Sequence, residues 1–253
     1  MSALRLTQLV LRERSHRILG LIGFAILFIA AGLAARVLTG PAGHVEMGSL
    51  MQVGGYPLVS LLLLLGWVLG RYPIIAALVL MAGIFSTDRE AGYARLYAVR
   101  PVSFLRIYGL RFITLLTIAF LLSATLLPIF DVIMLGQWAG PNTLVLIACY
   151  VAVYGSLVAF LSVFIKGEGW VALALAVVAM IWEALRRGNV LAEAPPGVRE
   201  VVSFLLPPQG PLFRIETAFA ELQPVPWAAV GYVMGYSFVL LVAAAVFVVD
   251  REV

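Results

Sequence analysis

Apolar residues run through this chain in long blocks, not in the one-sided or alternating patterns of a soluble fold. A bilayer core of about 30 Å needs about 20 apolar residues in a helix that rises about 1.5 Å per residue. Six blocks meet or approach that length: 18–37, 58–85, 110–130, 143–165, 170–185 and 227–249, the fifth being the shortest. Each predicts a membrane-spanning helix. The second is interrupted by Arg71, and Pro73 beside it predicts a kink or a break. No repeat or low-complexity linker divides the chain, so the pattern predicts a single all-α polytopic membrane domain over 1–253 with six transmembrane helices. The first block is long and preceded by a charged segment, which predicts a retained span and not a cleaved leader.

Two segments outside the blocks are amphipathic. In residues 3–16, Arg5, Gln8 and Arg12 share one stripe, with Leu6, Leu9 and Val10 opposite. That predicts a helix lying in the membrane interface with its apolar face down. The connection 86–111 reads STDREAGYARLYAVRPVSFLRIYGLR. Thr87 and Glu90 have capping-box spacing, Tyr93, Leu96 and Tyr97 fall on one face, and Pro101 ends the helix. A helix over 87–100 is predicted, presenting an aromatic and leucine knob flanked by arginines. Such a knob suits a groove in another protein or the membrane surface.

Composition strengthens the membrane reading. The chain is 63% hydrophobic and 12% charged, against about half and about a quarter in soluble domains. Soluble enzymes, secreted modules and disordered tails are excluded. Cys149 is the single cysteine, so there is no internal disulfide and no thiolate metal cluster. The net charge of +4 comes from 16 Arg and one Lys against 13 acids. Six spans place both termini on one side, and that side holds Arg5, Arg12, Arg14, Arg17, Arg89, Arg95, Arg100, Arg106, Arg111, Lys166 and Arg251. The short connections 38–57 and 131–142 on the opposite side hold no Lys or Arg. The positive-inside rule then puts both termini and the loop before the third span in the cytoplasm, with the chain in the cell's inner membrane.

The string Arg89-Glu90-x-Gly92, Leu96 and Arg100-Pro101-Val102-Ser103, with Arg111 ten positions past the proline, resembles the first cytoplasmic loop of type-2 ABC transporter permeases. The layout is similar too: an interfacial N-terminal helix, six spans, a tight turn at 166–169 and a large outer segment, 186–226, before the last span. Phe104 stands where the family often has a basic residue, with Arg106 two positions later. The resemblance implies the permease subunit of an ATP-driven ABC exporter, paired with a second permease copy as a homodimer or heterodimer and with two copies of an ABC ATPase subunit. It makes the loop helix a coupling helix. Glu90, Tyr93, Leu96, Tyr97, Arg100 and Pro101 would contact the ATPase, which would bind ATP and Mg. This chain would hold no cofactor and perform no catalysis itself.

The remaining motifs add little chemistry. No phosphate loop of the form G-x-x-x-x-G-K-[ST], no HExxH and no G-x-S-x-G occurs. His16 and His44 lie outside the blocks, which excludes bis-histidine haem ligation within the bilayer. His44, Glu46, Met47 and Met51 read as surface scatter, so no metal site is expected. Membrane lipids are expected partners and nucleic acid is not. Arg71 either snorkels or makes a structural ion pair, or else it faces a substrate cavity and meets an anionic group. Glu183 is expected to pair with Arg186 and Arg187. Gly66-x-x-x-Gly70 and Gly231-x-x-x-Gly235 are candidate helix-packing sites. Trp138, Trp170, Trp182, Trp227 and Tyr56 predict aromatic belts. The rival reading is a non-catalytic scaffold or accessory subunit of a larger membrane complex. A secondary transporter is disfavoured, because the blocks lack paired charges and repeat halves.

Overall fold

The computed structural model describes residues 3–39, 70–90, 104–135, 138, 140–190, 195–221 and 223–250. Among them every regular element is a helix. These are α1 (Ala3–Glu13), α2 (Ser15–Thr39), α3 (Tyr72–Met81), α4 (Ser86–Glu90), α5 (Phe104–Leu135), α6 (Asn142–Phe164), α7 (Glu168–Arg187), α8 (Pro196–Leu205), α9 (Gln209–Ala220) and α10 (Trp227–Asp250). Five of them, α2, α5, α6, α7 and α10, are long and apolar enough to cross a membrane. The protein is therefore an all-α, multi-pass membrane protein, and five of the apolar blocks coincide with these helices to within a few residues.

The second block behaves differently. Arg71 sits at a turn, and α3 begins after it with Pro73 in its first turn, where the missing N–H costs nothing. Ten residues rise only about 15 Å, half of a hydrocarbon core. At its other end α3 stops at Gly83, whose φ is +79°. A Cβ there would meet Thr87 Oγ1 at 2.3 Å, so backbone and neighbour both demand glycine. The chain then turns into α4, which starts at Ser86, one residue before the expected cap at Thr87. The rest of the predicted helix, 91–100, lies outside the described residues, as does 58–69 of the second block.

The bundle is built around α6. Helices α3, α5, α7, α9 and α10 all pack against it, and its Ile147, Tyr150, Val153, Tyr154 and Val158 are fully buried. Lipid tails are as apolar as these side chains, so close packing and satisfied polar groups hold such helices together more than any hydrophobic drive. Two glycines permit close approach. A Cβ at Gly155 would come within 3.1 Å of Leu116, and one at Gly169 within 3.4 Å of Ala82. Among the described residues the glycines singled out by spacing have open space beside them. A Cβ at Gly70, Gly231 or Gly235 would touch nothing within 4 Å, and Gly66 lies outside the described residues. Instead α10 meets the core through Val230 and Val233, on its other face.

Helix α1 departs from a purely interfacial element. Val10 is buried in the main core, while Leu9 and Leu11 stay exposed. Within the outer segment 186–226, α9 enters the bundle, with Leu212, Ile215 and Ala218 buried and α6 and α10 as neighbours. Exposed Trp170 at the start of α7 and exposed Trp227 at the start of α10 mark opposite ends of the bundle, as aromatic belts do.

Candidate functional site

Polar side chains gather in two layers, one at each end of α3. The layer nearer the N-terminus, here the proximal end, joins α1, α2, α3, α4, α5 and α7. Carbonyls at the end of a helix lack intrahelical donors and carry partial negative charge. Arginines meet them at the end of α3: Arg14 Nη2 donates to Gly83 O at 2.9 Å, and Arg17 Nη1 donates to Val79 O at 3.0 Å and also to Ala82 O. Burial, with Arg17 and Arg111 nearby, pulls the Arg14 guanidinium down to about 10, so it keeps its charge at neutral pH.

Two buried carboxylates complete this layer. Glu168, in the first turn of α7, accepts from the Gly83 backbone N–H and from Ser86 Oγ, the latter at 3.0 Å. Asp88 of α4 accepts from Tyr108 at 3.1 Å and from Arg111 Nη1 at 2.9 Å, both on α5. Arg111 also bonds Glu13 of α1 and the Ile84 carbonyl. The side chains of Asp88 and Arg111 are 7% and 6% exposed, so the buried Asp88 carboxylate depends on Arg111, which Glu13 also pairs, for its neutralisation. Asp88 stands just before the connection 91–103, and Tyr108 and Arg111 stand just after it. Both stems of that connection are thereby clamped together and tied to α1, α3 and α7.

The distal layer surrounds Arg71. Its guanidinium donates to Tyr150 on α6 and to Glu216 on α9, and Tyr150 itself donates to Glu216. Next to it, Gln209 donates to the Tyr154 hydroxyl. The partly buried arginine thus obtains a carboxylate and a phenol as partners. Glu183 pairs with Arg186 at 3.0 Å and Arg187 at 3.1 Å at the end of α7.

Of the residues expected to touch a partner, only the backbone of Glu90 is described, as the last residue of α4. Tyr93, Leu96, Tyr97, Arg100 and Pro101 lie outside the described residues. Arg71, a candidate cavity residue, is engaged by Tyr150 and Glu216. Sequence reasoning missed Glu216, Glu168, Tyr150 and Tyr154. Glu216 had a signal: Leu212, Ile215 and Ala218 recur on one face around it, the mark of a packed helix. Among the described residues no group of His, Cys, Asp and Glu has a metal-binding arrangement.

Compared with known proteins, the chain matches no family model, no curated protein and no solved structure.

Proposed function

We infer that the chain is the membrane-spanning permease subunit of an ATP-driven exporter, coupling hydrolysis in a separate ATPase to movement of a substrate. In this reading it has six spans, lies in the cell's inner membrane, and works with a second permease copy and two ATPase copies that bind ATP and Mg. The observation that carries the reading is the double clamp on the connection 91–103. A coupling element must transmit force, and a loop whose stems are free would dissipate it. Here a push on the connection reaches α5 through Asp88, Tyr108 and Arg111. It reaches α1 through Glu13, and α3 and α7 through Gly83 and Glu168. Packed elements joined this way shift as units between discrete arrangements. The arginines at the proximal end fit a cytoplasmic placement of that end.

The test is ATP hydrolysis by the complex that purifies with the full chain from its native membrane. Leu96→Asp and Tyr97→Asp are expected to abolish hydrolysis by the complex while leaving the permease folded. Undiminished hydrolysis in both variants, or none with the wild-type chain, overturns the coupling role.

A further inference from the structure

A crevice opens at the distal end between α7 and α10. Both helices pack on α6 and α9. The space divides into two adjoining cavities of about 350 and 490 Å³ that share Arg186, Ser203 and Tyr232. Their size suits the head and glycerol region of an amphiphile, since small-ligand sites run from about 300 to 1,000 Å³.

Three features specify the occupant. The first is charge. Arg186, Arg199 and Arg214 line the cavities, against two carboxylates, Glu183 and Glu200. Glu183 is already shared between Arg186 and Arg187, so one carboxylate serves two guanidiniums and leaves positive charge over. Arg186 grips Glu183 through Nε and Nη2, yet its side chain remains 42% exposed. The second feature is depth. Helix α8 turns Arg199 and Ser203 to the crevice, with Phe204 at its edge, while Val198, Val201, Phe204 and Leu205 are 52% to 69% exposed. An amphipathic helix of that kind lies at the boundary between headgroups and acyl chains. Its place is fixed by the 3.0 Å bond from Trp182 Nε1 to Ser203 Oγ, and exposed Trp227 marks the same level. The third is the wall. Ala179, Ala228 and Ala229 line the larger helices' sides of the crevice, leaving apolar room beneath the arginines.

We propose that this crevice is a binding site for one anionic phospholipid of the surrounding leaflet, its phosphate held by Arg186 and Arg199 and its glycerol end lying against Tyr232 and the alanines. Arginine's forked guanidinium suits a phosphate better than any neutral headgroup group. The site does not depend on the exporter reading, since a lipid held here would serve a permease or a scaffold equally.

The test uses the full chain in nanodiscs containing either phosphatidylglycerol or phosphatidylcholine, with bound lipid read by native mass spectrometry after mild detergent transfer. Retained phosphatidylglycerol is expected on the wild-type chain, with about tenfold less on Arg199→Gln and on Arg186→Gln, because hydrogen bonds to charged groups are among the stronger ones. Ala228→Phe fills the crevice without removing charge and is expected to lower retention similarly. It carries the test alone if the arginine variants fail to fold. Equal retention of phosphatidylcholine, or full phosphatidylglycerol retention in folded Ala228→Phe, overturns the site. Displacement of the lipid by millimolar inorganic phosphate would assign the arginines to a free oxyanion and overturn the lipid.

Discussion

Arg111, on the first turns of α5, holds Asp88 of α4 at 2.9 Å across the mouth of the connection 91–103, and with its other amino group it holds Glu13 of α1. One guanidinium therefore serves three helices. Arg111→Met would leave Asp88 buried without its counter-charge. Removing one partner of a buried pair costs about 3–5 kcal/mol. The variant is expected to unfold well below the wild-type temperature, and Asp88→Leu combined with Arg111→Met to recover a large part of the loss. Thermal unfolding of the purified chain in detergent checks both, and an unchanged midpoint in Arg111→Met would show the clamp to be ornamental.

Gly83 offers a second test at the same end. A left-handed backbone costs a non-glycine residue about 1–3 kcal/mol, and a Cβ would also press on Thr87 Oγ1. Gly83→Ala should destabilise by at least that amount. Adding Thr87→Ala should return only part of it, since the clash is relieved and the φ of +79° is not.

In the distal layer, Arg71→Met and Glu216→Leu are expected to couple. Measured couplings between polar side chains within membranes reach about 1–2 kcal/mol at most. A double-mutant cycle in stability should return a value near the top of that range, with Tyr150→Phe giving less, because the phenol adds one bond where the ion pair adds charge. A coupling near zero would leave Arg71 available for another partner.

Cys149 supplies a readout for these variants. It is the single cysteine and is fully buried in α6. A thiol-reactive dye is expected to label the folded chain negligibly and to label fully on unfolding, so the labelling temperature should track the midpoint variant by variant. Rapid labelling of the folded wild-type chain would contradict the packing of α6.

The apolar blocks made α2, α5, α6, α7 and α10 legible because a span must be long and apolar whatever its neighbours. Tertiary polar partnerships were another matter. The Arg71 partner lies 145 residues away, in a stretch whose prolines and charges read as an outer segment. Only the buried spacing of Leu212, Ile215 and Ala218 reveals it as part of the bundle. Glu183 was the easy case, since Arg186 and Arg187 follow within one turn. Glu168 was hidden by its place in a tight turn, where an acid usually faces water; here it caps a chain reversal at Gly83 instead. Spacing alone did not reveal Gly155 and Gly169, the glycines on which Leu116 and Ala82 close in; around Gly231 and Gly235 no described residue comes within 4 Å of a Cβ.

The bond between Arg71 and Glu216 also sets an order of events during synthesis. At about 5–20 residues per second, the ribosome needs roughly 7–30 s to travel from one to the other. Through that interval the arginine has been made and its carboxylate has not, so α3 cannot settle into hydrocarbon with its charge answered. Until then water, headgroups or the insertion machinery must answer that charge. A truncation before α9 would remove that partner for good, and should leave α3 open to protease where the full chain is resistant.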